Sequence, residues 1–123
     1  MYEYKAKVAR VLDADTIDVV IDLGFDVHIN QRVRLLGINT AEKNTELGQQ
    51  ASDYVKGLLP VGQQVILRSE KDKREKFGRY LAQVFFAESQ QSVNDILIQK
   101  GLAVEYWGVG KKEDFVPQAK PVE

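Results

Sequence analysis

Thr16-Ile17-Asp18-Val19-Val20-Ile21-Asp22-Leu23-Gly24 is the stretch on which the reading of the fold turns. It is rich in β-branched residues, which favour the pleated backbone, and Gly24 breaks it. It therefore reads as a strand. Asp13-Ala14-Asp15, just before it, is a turn signal. Residues 4–12 hold Val8, Val11 and Leu12 in a strand-like setting. Beyond Gly24, Val27, Ile29, Val33 and Leu35 suggest a third strand reaching Leu36, bent around Asn30-Gln31. The front of the chain is thus expected to be a three-strand antiparallel meander.

Working outward, Gly37 to Asn44 reads as loop. Leu47, Ala51, Tyr54, Val55 and Leu58 fall at helical spacing on one face, with Thr45 as cap, Glu46 near the positive end of the dipole, and Pro60 and Gly62 as stops. Gln64–Ser69 and Tyr80–Phe86 read as strands with a charged, exposed loop between them. Ser92 caps a second, short helix with Val93, Ile96 and Leu97 facing in and Gly101 as its end. Leu102–Trp107 is a short apolar closing segment. The order predicts an α+β chain built as a five-stranded OB-fold-like Greek-key barrel with two or three helices. Residues 1–108 are expected to form that domain and 109–123 a flexible tail.

The chain has 123 residues, which favours one domain large enough to bury a core. Cysteine is absent, which excludes a disulfide scaffold, a thiolate zinc site and a cysteine nucleophile. No apolar run is long enough to cross a bilayer, and Met1 to Lys7 lacks the apolar stretch of a signal peptide. The chain is read as cytoplasmic, or as a processed secreted form. The net charge of -1 argues against a protein that coats nucleic acid non-specifically. The distribution is uneven, however. Arg68, Lys71, Lys73, Arg74, Lys76 and Arg79 crowd one segment, and Asp13, Asp15, Asp18, Asp22 and Asp26 the front. Each run alone reads as a solvated face. The sharper reading is a basic phosphate cradle near an acidic metal corner, and composition alone does not choose between the two.

Phosphodiester hydrolysis at a small metal site needs hard oxygen ligands, a base for the attacking water, and cationic donors for the charge building on phosphorus. Four short motifs offer these groups. They are Val11-Leu12-Asp13-Ala14-Asp15-Thr16, Arg34 to Glu42, Glu75-Lys76-Phe77-Gly78-Arg79, and Val93-Asn94 followed by Gly101-Leu102-Ala103. Alone, Asp15 would be a turn residue satisfying its own backbone, Arg34 and Arg79 exposed strand charges, and Glu42 a loop carboxylate. His28, the only histidine, has no partner at metal spacing and reads as an outward strand residue.

In this order and with these gaps the motifs resemble the staphylococcal nuclease (thermonuclease) family, from about Lys5 to Tyr106. The resemblance implies a nuclease that binds one calcium ion, hydrolyses DNA or RNA and leaves 3'-phosphate ends. It implies that Asp15 and the residue at Asn39 bind the metal through side-chain oxygens, and Thr40 through its backbone carbonyl. Glu42 would be the general base, and Arg34 and Arg79 would grip the scissile phosphate. Lys76 and Phe77 would contact another phosphate of the nucleotide, with Tyr106 near the base. No obligate protein partner and no membrane are implied, and the chain is read as a monomer.

Several positions depart from the family. Asn39 stands where aspartate is common, which removes a full ligand charge, and Ala41 replaces a proline. Phe77 lacks a tyrosine hydroxyl, and Glu75 replaces an aspartate. Asn39 keeps a second expectation alive: a catalytically weak or inactive OB-fold module that binds single-stranded nucleic acid.

Overall fold

The protein was analysed as a computed structural model that describes residues 2–69, 80–86 and 90–107. The expected meander is present as β1 (Tyr2–Asp13), β2 (Thr16–Asp22) and β3 (His28–Leu35), followed by β4 (Ile38–Thr40) and helix α1 (Glu46–Leu58). Then come β5 (Gln64–Ser69), β6 (Tyr80–Phe86), helix α2 (Val93–Gln99) and β7 (Ala103–Glu105). Five strands close into a barrel in the order β1-β2-β3-β6-β5, the OB-like arrangement expected from the element order. Among the described strands only β3 and β6 pair in parallel.

Closure falls to β1. At 12 residues it is long enough to pair with β5 through Tyr2–Lys7 and with β2 through Lys5–Asp13. Register shifts between Val8 and Arg10 and between Val11 and Asp13 bend it around the barrel, as bulges do in closing sheets. On β2, Ile17, Val19 and Ile21 point inward and are buried, while Asp18, Val20 and Asp22 face out. Val8, Val33, Leu35, Val65 and Val84 complete the interior, and Ala51 and Val55 from α1, Leu59 at its C-cap, and Val93 and Leu97 from α2 belong to the same core. Among the described residues no helix is long and apolar enough to cross a membrane.

Both helices start where the sequence places them. Thr45 Oγ1 accepts from Gly48 N at 3.0 Å, and Ser92 Oγ accepts from Asp95 N at 3.0 Å. Three expectations need correction. The third strand is not bent at Asn30-Gln31, because its ladder to β2 runs without a shift from Asp22↔His28 to Thr16↔Arg34. The segment read as loop from Gly37 contains β4, which pairs with β7 through Ile38↔Glu105 and Thr40↔Ala103. That partner lies more than sixty residues downstream, so local pattern could not reveal it. On α2 the buried set is Val93, Asn94 and Leu97, with Ile96 only half-buried.

Asn94 is a fastener between layers. Its Nδ2 donates to the Leu36 carbonyl at 2.8 Å and the Ala82 carbonyl at 3.4 Å, and its Oδ1 accepts from Val84 N at 3.1 Å. One buried amide thereby serves backbone groups of β6 and of the turn after β3. Asn94→Leu would strand a buried donor and acceptor, each worth about 1–3 kcal/mol when left unsatisfied. The variant is expected to lose about 2–4 kcal/mol in urea unfolding, a loss far larger than that of Gln99→Leu on the exposed face of the same helix.

Candidate active site

The β1–β2 turn is made by sequence-local chemistry. Asp15 N donates to Asp13 Oδ1 at 3.2 Å, the short-range bond by which aspartate builds a turn. Thr16 Oγ1 donates to Asp15 Oδ1 at 3.2 Å, and Leu35 N donates to the Asp15 carbonyl at 2.8 Å, tying the turn to β3. Register then decides the neighbour, since Thr16 lies opposite Arg34.

Arg34 is only 6% exposed. Its Nη2 donates to Asp15 Oδ2 at 3.3 Å and to Asn39 Oδ1 at 3.4 Å, and its Nη1 donates to the Leu35 carbonyl at 3.2 Å. A buried guanidinium must have its donors occupied, and a buried carboxylate needs its charge offset. The three side chains therefore meet as one hydrogen-bonded unit. Asn39 enters it from the middle of β4, fully buried, and Thr40 follows it, also buried.

Asp13, half-buried beside this unit, has its carboxyl raised to about 6, chiefly by burial and then by the hydrogen bond and charge of Asp15. Two carboxyl groups and two further oxygen-bearing residues, Asn39 and Thr40, thus share one corner. Among the described residues, no three His, Cys, Asp or Glu side chains gather into a metal-holding cluster. The corner is oxygen-rich but has few charges.

Of the other expected site residues, Glu42 lies in the exposed segment between β4 and α1. Its carboxylate makes no hydrogen bond or ion pair among the described residues, so it does not join Asp15, Arg34 and Asn39. Its backbone is fixed nonetheless. The Glu42 carbonyl accepts from Thr45 N at 3.0 Å and from Thr45 Oγ1 at 2.7 Å. Tyr106 is half-buried, with its N–H on the Gly37 carbonyl at 2.9 Å, at the edge where β4 begins. Trp107 is 62% exposed and lies over Gly37, whose φ of +79° suits glycine; a Cβ there would stand 2.7 Å from the indole Cζ2. It is a wall of the turn rather than core. Lys76, Phe77 and Arg79 lie outside the described residues.

The sequence reading assigned no role to two residues that shape this corner. Asp13 is legible in the sequence as part of the turn and of the acidic run, and its closeness to the site is a product of the hairpin. Gly48 gave no signal of its own, for a glycine inside a helix is ordinarily just a weak helix former. Here a Cβ would collide with the Glu42 carbonyl oxygen and stand 2.6 Å from the carbonyl carbon. The first turn of α1 is thus seated directly on the backbone that carries Glu42.

The arrangement defines an OB-like barrel bearing, beside its first hairpin, a buried carboxylate–guanidinium–amide unit next to a carboxylate-carrying loop. The family described as "Staphylococcal nuclease homologue" matches residues 32–120, and the chain belongs to it. It is 36% identical over 107 residues to a thermonuclease of Staphylococcus hyicus, covering 82% of this chain and 59% of that protein. It is 37% identical over 102 residues to a thermonuclease of Staphylococcus intermedius, covering 78% and 56%. It is 32% identical over 126 residues to endonuclease YhcR of Bacillus subtilis, covering 92% of this chain but 10% of that protein. The chain thus spans less than two thirds of the length of each of these relatives.

Gly48→Ala tests the seating of Glu42 against helix propensity. Alanine favours a helix by about 1 kcal/mol, but overpacking costs about 1–3 kcal/mol. Denaturant unfolding is expected to show Gly48→Ala destabilised. Gly57→Ala, in the same helix with nothing within 4 Å of the added Cβ, is expected to be stabilised.

Proposed function

We propose that this chain is a metal-dependent nuclease that hydrolyses phosphodiester bonds in DNA or RNA and releases 3'-phosphate ends. The observation that carries the reading is the buried Arg34 held between Asp15 and Asn39, with the Glu42 loop following directly from the same short strand. A guanidinium kept in fixed register beside a carboxylate is preorganised to meet a phosphate, since its orientation costs nothing further when charge builds there. The relatives named as thermonucleases and as an endonuclease support the reading.

The donors in this corner fit a hard cation such as calcium. All are oxygens, and Asp13 and Asp15 repel each other enough to help hold a proton on Asp13, a strain that a divalent ion would relieve. Asp15, the Asn39 amide oxygen and the Thr40 carbonyl would hold it. When bound, the ion supplies positive charge to a phosphate oxygen and to the attacking water.

The remaining chemistry belongs to the chain. Arg34 orients the phosphate and offsets its growing charge, and Arg79 is proposed to share this task from the opposite side of the sequence. Glu42, exposed and unpaired by any described residue, is free to take the proton of the attacking water. Lys76 and Phe77 are proposed to contact a neighbouring phosphate, and Tyr106 to line the base. The substrate would be the only required partner.

Incubation of single-stranded DNA with the protein, with calcium and then with chelator, tests the assignment. Calcium-dependent cutting is expected, and Glu42→Gln should abolish it. Arg79→Lys, which keeps the charge but loses the planar fork, should cost several kcal/mol of barrier, about 3 for a preorganised donor. Binding without any cutting at millimolar calcium would instead identify a nucleic-acid-binding module, the alternative that Asn39 keeps open.

Asn39 supplies a separate measurement. Calcium affinity rises with the number of ligand charges, so Asn39→Asp is expected to tighten calcium binding in calorimetry. An unchanged affinity would show that Asn39 is no part of the metal site.

A further inference from the structure

The outer face of the β1-β2-β3 sheet continues away from the site as rows of three residues. Asp13, Thr16 and Arg34 form the row at the site. The next outward-facing rows are Arg10–Asp18–Arg32, then Lys7–Val20–Asn30, then Lys5–Asp22–His28. Each of these three outward rows sets a basic residue on β1 and a nitrogen-bearing side chain on β3.

The acids on this face are already engaged. Asp18 accepts from Arg32 Nε at 2.9 Å and Nη2 at 3.3 Å, and Asp22 Oδ1 accepts from Gly24 N at 2.8 Å in the adjoining turn. Lys5, Lys7 and Arg10 are exposed and have no ion pair among the described residues. On the other side of β1, Lys7 lies opposite Gln64 and Lys5 opposite Ile66. Here the surface is an open groove of about 800 Å³ lined by Lys5, Lys7, Val20, Asp22, His28 and Gln64. Ammonium groups above a floor of Val20 and Ile66 suit phosphates with sugars or bases against the apolar part.

We infer that this groove is a second contact for the nucleic-acid strand, holding its backbone through Lys5 and Lys7 at a distance from the cutting site. The inference rests on the nuclease reading for the identity of the strand, and on charge complementarity for the contact itself. From Thr16 to Asp22 the sheet runs roughly 20 Å at about 3.3 Å per residue. That is about six nucleotides at about 3.4 Å per step. A long strand therefore reaches both places, and a trinucleotide only one. Arg10 lies between them and continues the positive track.

The test is binding of a fluorescent single-stranded oligonucleotide of about twenty nucleotides, followed by anisotropy in chelator so that cutting plays no part. Lys5→Ala/Lys7→Ala is compared with the wild type over a range of salt. Each lost phosphate contact lowers the slope of log affinity against log salt by about 0.7 for a single strand. The double variant is thus expected to bind several-fold more weakly at low salt, with a slope reduced by about 1.4. Lys5→Arg/Lys7→Arg should keep most of the affinity, and the advantage of the long oligonucleotide over a trinucleotide should shrink only in the alanine variant. An unchanged slope would overturn the inference, as would an equal loss on both lengths. Lys5→Gln/Lys7→Gln provides the same comparison should the alanine variant melt early. A wild type that binds in this pattern but does not cut with calcium would remove the nuclease reading and leave the groove standing.

Discussion

A guanidinium taken out of water dictates much of this molecule. Arg34 sits almost wholly inside the protein, and every donor it keeps there needs an acceptor. It finds Asp15 from the first hairpin, Asn39 from the short strand β4 and the carbonyl of Leu35. Removing one member of a buried ion pair typically costs about 3–5 kcal/mol, because the partner is left charged and unsolvated. The three side chains are therefore bound to each other as tightly as to any function they serve. Their positions follow from a single register, Thr16 opposite Arg34, which a slip of one residue would turn inside out.

The same constraint explains how the charges around the site are balanced. Asp15 and Asp13 lie on one turn, and burial first, then the hydrogen bond and charge of Asp15, hold Asp13 toward its protonated form. Asn39 contributes an oxygen without adding to that repulsion. The corner consequently holds less negative charge than an aspartate at position 39 would give it.

Seating of the Glu42 loop is a second, independent constraint. Thr45 does two tasks at once, accepting from Gly48 N as a helix cap and donating to the Glu42 carbonyl. Gly48 makes the close approach physically possible. The backbone at Glu42 is thereby held against a rigid helix while its carboxylate stays in solvent, which suits the base role proposed for it.

Much was legible in the chain itself. Gln64–Ser69 and Tyr80–Phe86 have the bounds their composition implied, and Thr45 and Ser92 cap the helices as their side chains dictate, because propensity and capping are set by neighbours in sequence. The barrel followed from the order of those elements. The residues proposed to handle a phosphate or a hard ion were visible as types and spacings. The pairing of β4 with β7, the burial of Asn94, the need for glycine at 48 and the convergence of Asp15, Arg34 and Asn39 were decided only in three dimensions. Each depends on groups brought together across the chain by strand register and helix seating, and a contact of that kind leaves no trace in the residues immediately beside it.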